Sequence, residues 1–173
     1  MKYDVYRKKV YEDFKRVKDF FPLLNIIEPP KLAGEFVISG MLIPFDLYKY
    51  TTKVNIEEVS ININATYPID FPQRTINEVK DVYGKIDWNE IPDQHRHKYG
   101  TGNLCTHHPF AEINNVAIEE RSIKILFSAY RLYCQYVAFN ETGVWSVNDL
   151  PHGFLADFKL IKEGYWEDKN GWK

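Results

Sequence analysis

Residues 59–72 read Val59-Ser60-Ile61-Asn62-Ile63-Asn64-Ala65-Thr66-Tyr67-Pro68-Ile69-Asp70-Phe71-Pro72, and the first six alternate without a break. Val59, Ile61 and Ile63 fall on one side, and Ser60, Asn62 and Asn64 on the other. Successive side chains of a strand point to opposite faces, so this spacing predicts a strand with one buried face. Proline lacks a backbone N–H and biases the residue before it toward extended geometry. Pro68 and Pro72 therefore end the strand and start a turn.

Further strands are expected on both sides of it. Glu35 to Ile43 is rich in β-branched and apolar residues and stops at Pro44; Asp46 opens a turn, and Tyr48 to Val54 is a second candidate. Ile76 to Val82 is a candidate downstream. Connections this short favour an antiparallel meander of about four strands. Helices are expected at either end. Tyr3, Tyr6, Val10, Phe14, Val17 and Phe21 recur at three- and four-residue steps until Pro22. From about Ala117 to Phe139, the residues Ile123, Leu126, Phe127, Tyr130, Tyr133, Cys134 and Val137 form an apolar stripe, which makes Cys134 a core residue. Pro29-Pro30 reads as an extended connector. The fold class is therefore α+β: an N-terminal helix, the meander, a long loop and C-terminal helices.

The 173 residues fit one domain, spanning 1–173, with a C-terminal extension from about residue 144 that carries Trp166 and Trp172. Apolar residues are 45% of the chain, enough for a core that needs neither disulfides nor metal. Twenty-two basic against 24 acidic residues give a formal net charge of −2, which makes non-specific nucleic-acid binding a poor expectation. No apolar run reaches the roughly 18–20 residues that span a bilayer, so no membrane partner is expected. Two cysteines and a charged N-terminus point to a reducing cytoplasm.

Chemistry concentrates between Gly84 and about Asn115, a stretch with little periodicity. A loop this long in a compact domain is functional or disordered, and its Trp88, Ile91, Cys105 and four histidines argue against disorder. The bland reading of Cys105 is a small buried apolar residue. Its polar, histidine-rich surroundings favour a reactive thiol, whose thiolate fraction His95, His97, His107 or His108 would raise. The same residues offer a rival. His95 and His97 with Cys105 and His107 make four zinc-ligand types within a short span, although their spacing matches no established pattern. A cysteine hydrolase pairing Cys105 with His97 or His107 is a further alternative.

The order helix, meander, Tyr-Pro segment, cysteine-bearing loop and helix resembles the ubiquitin-conjugating enzymes. That family carries Tyr-Pro-x-x-Pro-Pro after its third strand; here Tyr67-Pro68-Ile69-Asp70-Phe71-Pro72 keeps all but one proline, replaced by Phe71. The family also carries His-Pro-Asn, a short spacer, then Gly-x-(Ile/Leu)-Cys. Here His95-Arg96-His97 precedes Gly102-Asn103-Leu104-Cys105 at the family's spacing. Arg96 replaces the proline, His97 stands in the asparagine position, and the tryptophan that usually follows the cysteine is missing. These departures, with a longer segment from Tyr67 to His95, look closer to divergent bacterial relatives found in antiphage signalling operons or bacterial ubiquitin-like conjugation operons.

The resemblance implies a ubiquitin-conjugating fold and a thioester-forming activity. Cys105 would carry the C-terminus of a ubiquitin-like protein or a nucleotide cyclase and pass it to a lysine amine. A separate activating enzyme would consume ATP upstream, so no cofactor is needed at this step. His97 or Asn103 would support the oxyanion, and His95 would order the loop. A non-catalytic binding module on the same fold is the other alternative, although inactive variants of the family lack the cysteine that this chain keeps.

Overall fold

The computed structural model of the protein describes residues 3–30, 34–49, 55–106 and 116–145. Helix α1, Tyr3–Phe20, leads into strand β1, Leu24–Ile27. Strand β2, Phe36–Leu42, is followed by two single-turn helices, α2 at Phe45–Tyr48 and α3 at Ile56–Val59. Strands β3, Ile61–Tyr67, and β4, Asn77–Asp81, come next, and helix α4, Arg121–Thr142, follows the long loop. The four strands form one antiparallel sheet in the order β1-β2-β3-β4, which is the expected α+β meander between two helices.

The alternation of β3 sets the sheet's inner face. Ile61, Ile63, Ala65 and Tyr67 are buried, while Asn62, Asn64 and Thr66 are only partly covered. The register places Leu42 opposite Ile61, Gly40 opposite Ile63, Ile38 opposite Ala65 and Phe36 opposite Tyr67, so both strands present apolar residues to one core. Tyr6, Val10, Phe14 and Val17 of α1 and Ile125, Leu126, Ala129 and Tyr133 of α4 close that core. Gly40, opposite Leu24, is indispensable to the pairing. Its φ is +137°, and a Cβ there would lie 2.5 Å from the Leu23 carbonyl oxygen.

Three expectations are corrected. The candidate strand from Tyr48 begins instead as helix: the Leu47 and Tyr48 N–H groups both reach the Pro44 carbonyl, at 3.0 and 2.9 Å, and residues 50–54 lie outside the described ones. Val59 belongs to α3 rather than to the strand. The Asn55 side chain accepts the Glu57 N–H at 3.1 Å and donates to Glu58 at 3.2 Å, an N-cap that starts a helical turn just before the alternation. The fourth strand of the sheet is β1, four residues between Pro22 and Pro29-Pro30 that the sequence reading assigned to no strand and that pair with β2.

The buried face of α4 is also rotated from the expected stripe. Ser122, Ile125, Leu126, Ala129, Tyr130, Leu132, Tyr133 and Tyr136 face inward, so Leu126, Tyr130 and Tyr133 of the expected stripe are buried, whereas Phe127 and Cys134 are exposed. The helix carries apolar residues over more than one face, and contact with the sheet selects among them. Its tyrosines anchor the neighbouring turn. The Tyr130 hydroxyl donates to the Val59 carbonyl and the Tyr133 hydroxyl to the Glu58 carbonyl, both at 2.7 Å.

A buried polar junction ties α1 to the end of β3. The Tyr6 hydroxyl donates to the Tyr67 carbonyl at 2.7 Å, and the Tyr67 hydroxyl donates to Asp13 Oδ2 at 2.8 Å. Burial pushes the Asp13 carboxyl above its ordinary range, and the Ser122 hydroxyl, the Tyr67 hydroxyl and the Arg16 charge oppose that shift without cancelling it. The following segment is turned by Phe71 N–H to Pro68 O at 2.8 Å and Gln73 N–H to Asp70 O at 2.9 Å, with a cis Phe71–Pro72 bond. Tyr67 and its prolines therefore shape the exit from β3, as their backbone preferences predict. The tail beyond Trp145, with the expected further helices, lies outside the described residues.

Asp13 makes stability depend on pH in a stated direction. A carboxyl whose pKa is raised on folding favours the native state while it holds its proton. That contribution is complete below the unfolded pKa of about 3.9 and is lost as pH rises through the raised folded value. Asp13→Asn keeps an acceptor for Tyr67 and has no proton to lose. Urea unfolding should therefore show the variant gaining on the native chain between pH 3 and pH 7, and a gap that stays constant would refute this coupling.

Candidate active site

The long loop is not a free excursion from the sheet. Ile86 and Ile91 are buried, and Trp88 packs against the core. A turn of 3-10 helix at Asp93–His95 is clamped by Arg96, which pairs with Asp93 at 2.5 Å and donates from Nε to the Ile91 carbonyl at 2.9 Å. The Tyr136 hydroxyl of α4 donates to Glu90 at 3.0 Å and holds the loop from the helix side.

Residues 97–105 form a small hairpin. Lys98 and Leu104 are bridge partners; the Cys105 N–H donates to the His97 carbonyl at 2.8 Å and the Tyr99 N–H to the Asn103 carbonyl at 2.9 Å. Its tip closes through the Gly102 N–H to the Tyr99 carbonyl at 2.8 Å. Gly102 has a φ of +86°, a left-handed conformation that glycine adopts without cost and that lets a tight turn rejoin its ladder.

One hydrogen bond docks this hairpin on the sheet. The Leu104 N–H donates to the Val79 carbonyl of β4 at 2.7 Å, and the Leu104 side chain is buried. Alternation then decides what lies on each face. Leu104 takes the inner face, so Cys105, and with it Asn103, Tyr99 and His97, takes the other. Cys105 is half-buried, and its thiol donates to the Tyr99 hydroxyl at 3.3 Å. Burial, reinforced by the adjacent Cys105, pushes the Tyr99 phenol well above its ordinary value. Asn103 Oδ1 is buried and meets no hydrogen-bond partner among the described residues.

The histidines are held by stacking. Trp145, just past the end of α4, lies near-parallel to the His95 ring at 5.6 Å and 12°, and to the His97 ring at 6.1 Å and 15°. Phe139 supports the indole at 5.9 Å. Cys105, His97 and Asn103 are therefore brought to one hairpin, and His95 joins them through the shared indole. Among the described residues, no group of three or more His, Cys, Asp or Glu side chains is placed to hold a metal ion, and His107 and His108 lie outside those residues. The three described members of the zinc set do not come together as ligands.

Tyr99 and Trp145 were not among the sequence-derived site residues. Tyr99 had a usable signal: once Tyr99 to Cys105 is read as a hairpin with Gly102 at its tip, residues 99, 103 and 105 share a face. Trp145 had none, because only the path of α4 brings it over residues 95–97. Among the described residues, no helix is long and apolar enough to cross a membrane.

Removal of the docking side chain should loosen the site. Leu104→Ala is expected to lower stability by about 2–5 kcal/mol, as other buried leucine truncations do. It should also speed alkylation of Cys105 by iodoacetamide in native buffer, read by peptide mass; an unchanged rate would mean that Leu104 does not hold the hairpin. No family model matches the chain, and no curated protein or solved structure matches it.

Proposed function

We propose that the protein is a thioester-forming acyl carrier of the ubiquitin-conjugating type. In this reading, Cys105 accepts the activated C-terminal carboxyl of a protein partner and transfers it to a lysine amine. The observation that carries the reading is the presentation of Cys105. It is half-buried on the outward face of a hairpin whose other face is anchored to the sheet edge. A carrier thiol must be open to two large partners in turn, yet fixed enough to hold a reactive ester in one orientation.

Three further features support it. The element order is compatible with the ubiquitin-conjugating fold: α1, a four-stranded antiparallel meander, the cysteine loop, then α4. His95, Gly102 and Cys105 keep the family's spacing, and the Tyr67–Pro72 segment makes the turn leaving β3. His97 is the residue facing Cys105 across the hairpin and Asn103 precedes it by two on the same face. These two are the candidate donors to the oxyanion that forms when an amine attacks the thioester. His95, stacked on Trp145, orders the loop. Arg96 stands in the family's proline position and fixes the same turn through Asp93 and Ile91.

The cargo in this reading is a ubiquitin-like protein or a nucleotide cyclase with a free C-terminus, delivered by an activating enzyme, in a bacterial antiphage setting in the cytoplasm. The test needs none of these partners. Incubated with a glycine-terminated peptidyl thioester, the chain should take the peptide onto Cys105 as an adduct visible by intact mass and removed by dithiothreitol. Cys105→Ala should abolish it, and added lysine should discharge it at least about tenfold faster than buffer alone. An adduct that survives the substitution ends the role of Cys105. Discharge to water alone makes the protein a cysteine hydrolase.

A further inference from the structure

We propose that Tyr99 is a catalytic residue of this acyl transfer, its hydroxyl holding the Cys105 sulfur as a thiol and stabilising it as the departing thiolate. The inference deepens the acyl-carrier reading and rests on it. It starts from the 3.3 Å contact between Cys105 Sγ and the Tyr99 hydroxyl, made across the tip of the hairpin. The backbone fixes both residues: Tyr99 accepts from Gly102 and donates to Asn103, and Cys105 donates to His97. The two side chains therefore meet without rearrangement.

The chemistry places charge on sulfur twice. During loading, the thiol gives its proton to solvent and the thiolate attacks the carbonyl carbon of the donor; a C–S bond forms and the donor's leaving group departs with its electron pair. During discharge, the lysine nitrogen attacks the same carbon and a C–N bond forms. The oxyanion then collapses, the C–S bond breaks with its pair remaining on sulfur, and the ammonium proton passes to solvent. The phenol keeps its own proton throughout, because burial and the neighbouring sulfur hold its ionisation far above neutral pH. The hydroxyl accepts from the thiol in the resting state and turns to donate once sulfur is charged.

These two contacts oppose each other in setting the acidity of the thiol. Accepting from S–H favours the neutral form, and donating to S⁻ favours the charged one. A hydrogen bond to an ionised group is about twice as strong as a neutral one, so the second contact wins. Loss of the hydroxyl should therefore make the thiol a weaker acid and a poorer leaving group.

Tyr99→Phe tests this in a Cys134→Ser background, so that Cys105 is the sole thiol. The pH midpoint of iodoacetamide alkylation should rise by about half to one unit. Discharge of a preloaded peptidyl thioester to lysine should slow about fivefold, with the unfolding midpoint unchanged. A midpoint that stays in place or falls overturns the assignment, as does a raised midpoint with discharge at the parental rate. Failure of the parent chain to take up peptide at all removes the acyl-carrier reading and the catalytic role with it. The alkylation shift would still report the contact, so the two failures remain distinct.

Discussion

The outer edge of β4 is the constraint on which the site depends. A strand that ends a sheet leaves a row of carbonyl and N–H groups with no partner, and such an edge must be covered, blunted or left to water. Here the chain returns after two dozen residues and gives the Leu104 N–H to the Val79 carbonyl, while the Leu104 side chain enters the core. Backbone satisfaction and apolar burial act at the same residue. Once Leu104 is fixed, the alternation of an extended chain leaves Cys105 no inward option, and the sulfur is held at the rim.

That single docking point would not hold a long loop alone. The loop is also gripped by α4, through the Tyr136 hydroxyl on Glu90 and through Trp145 stacked on two histidine rings. Helix α4 is in turn positioned by the sheet and by the tyrosine hydroxyls that reach α3. On the opposite side, Tyr6, Tyr67 and Asp13 join α1 to the end of β3 through buried hydrogen bonds. The hairpin thus inherits its orientation from regular elements, which place groups more reproducibly than a loop held only by itself. The joint at Asp13 uses a carboxylate that is almost wholly buried, so it costs desolvation while it fixes geometry.

Several features were readable along the chain because their physics is local. The period of α1 and its stop at Pro22, the alternation of Ile61 and Ile63, and the turns around Pro68 and Pro72 depend on neighbours within a few residues. The Asn55 cap with Glu58 is equally local but was not read, because the alternation beside it drew Val59 into the strand. Cys105 was marked by its histidine-rich surroundings, and His97, Asn103 and His95 by the resemblance to the family's motif; the hairpin gives that motif a physical shape, because Gly102 is where the chain must turn.

The remainder was decided by contacts between distant segments. Nothing within Leu24–Ile27 separates a strand from a connector; the facing edge of β2, with Gly40 yielding space, makes the difference. Helix α4 carries apolar residues on several sides, so only its seat against the sheet determines that Ile125 and Ala129 turn inward and Cys134 outward. Tyr99 and Trp145 likewise acquire their neighbours through tertiary placement. The sequence by itself determined which segments could be helix or strand and which thiol stood among histidines, because propensity and period act over a few residues. Only the tertiary structure decided which faces were buried and what touches the sulfur, because burial is settled by surfaces that meet from far apart in the chain.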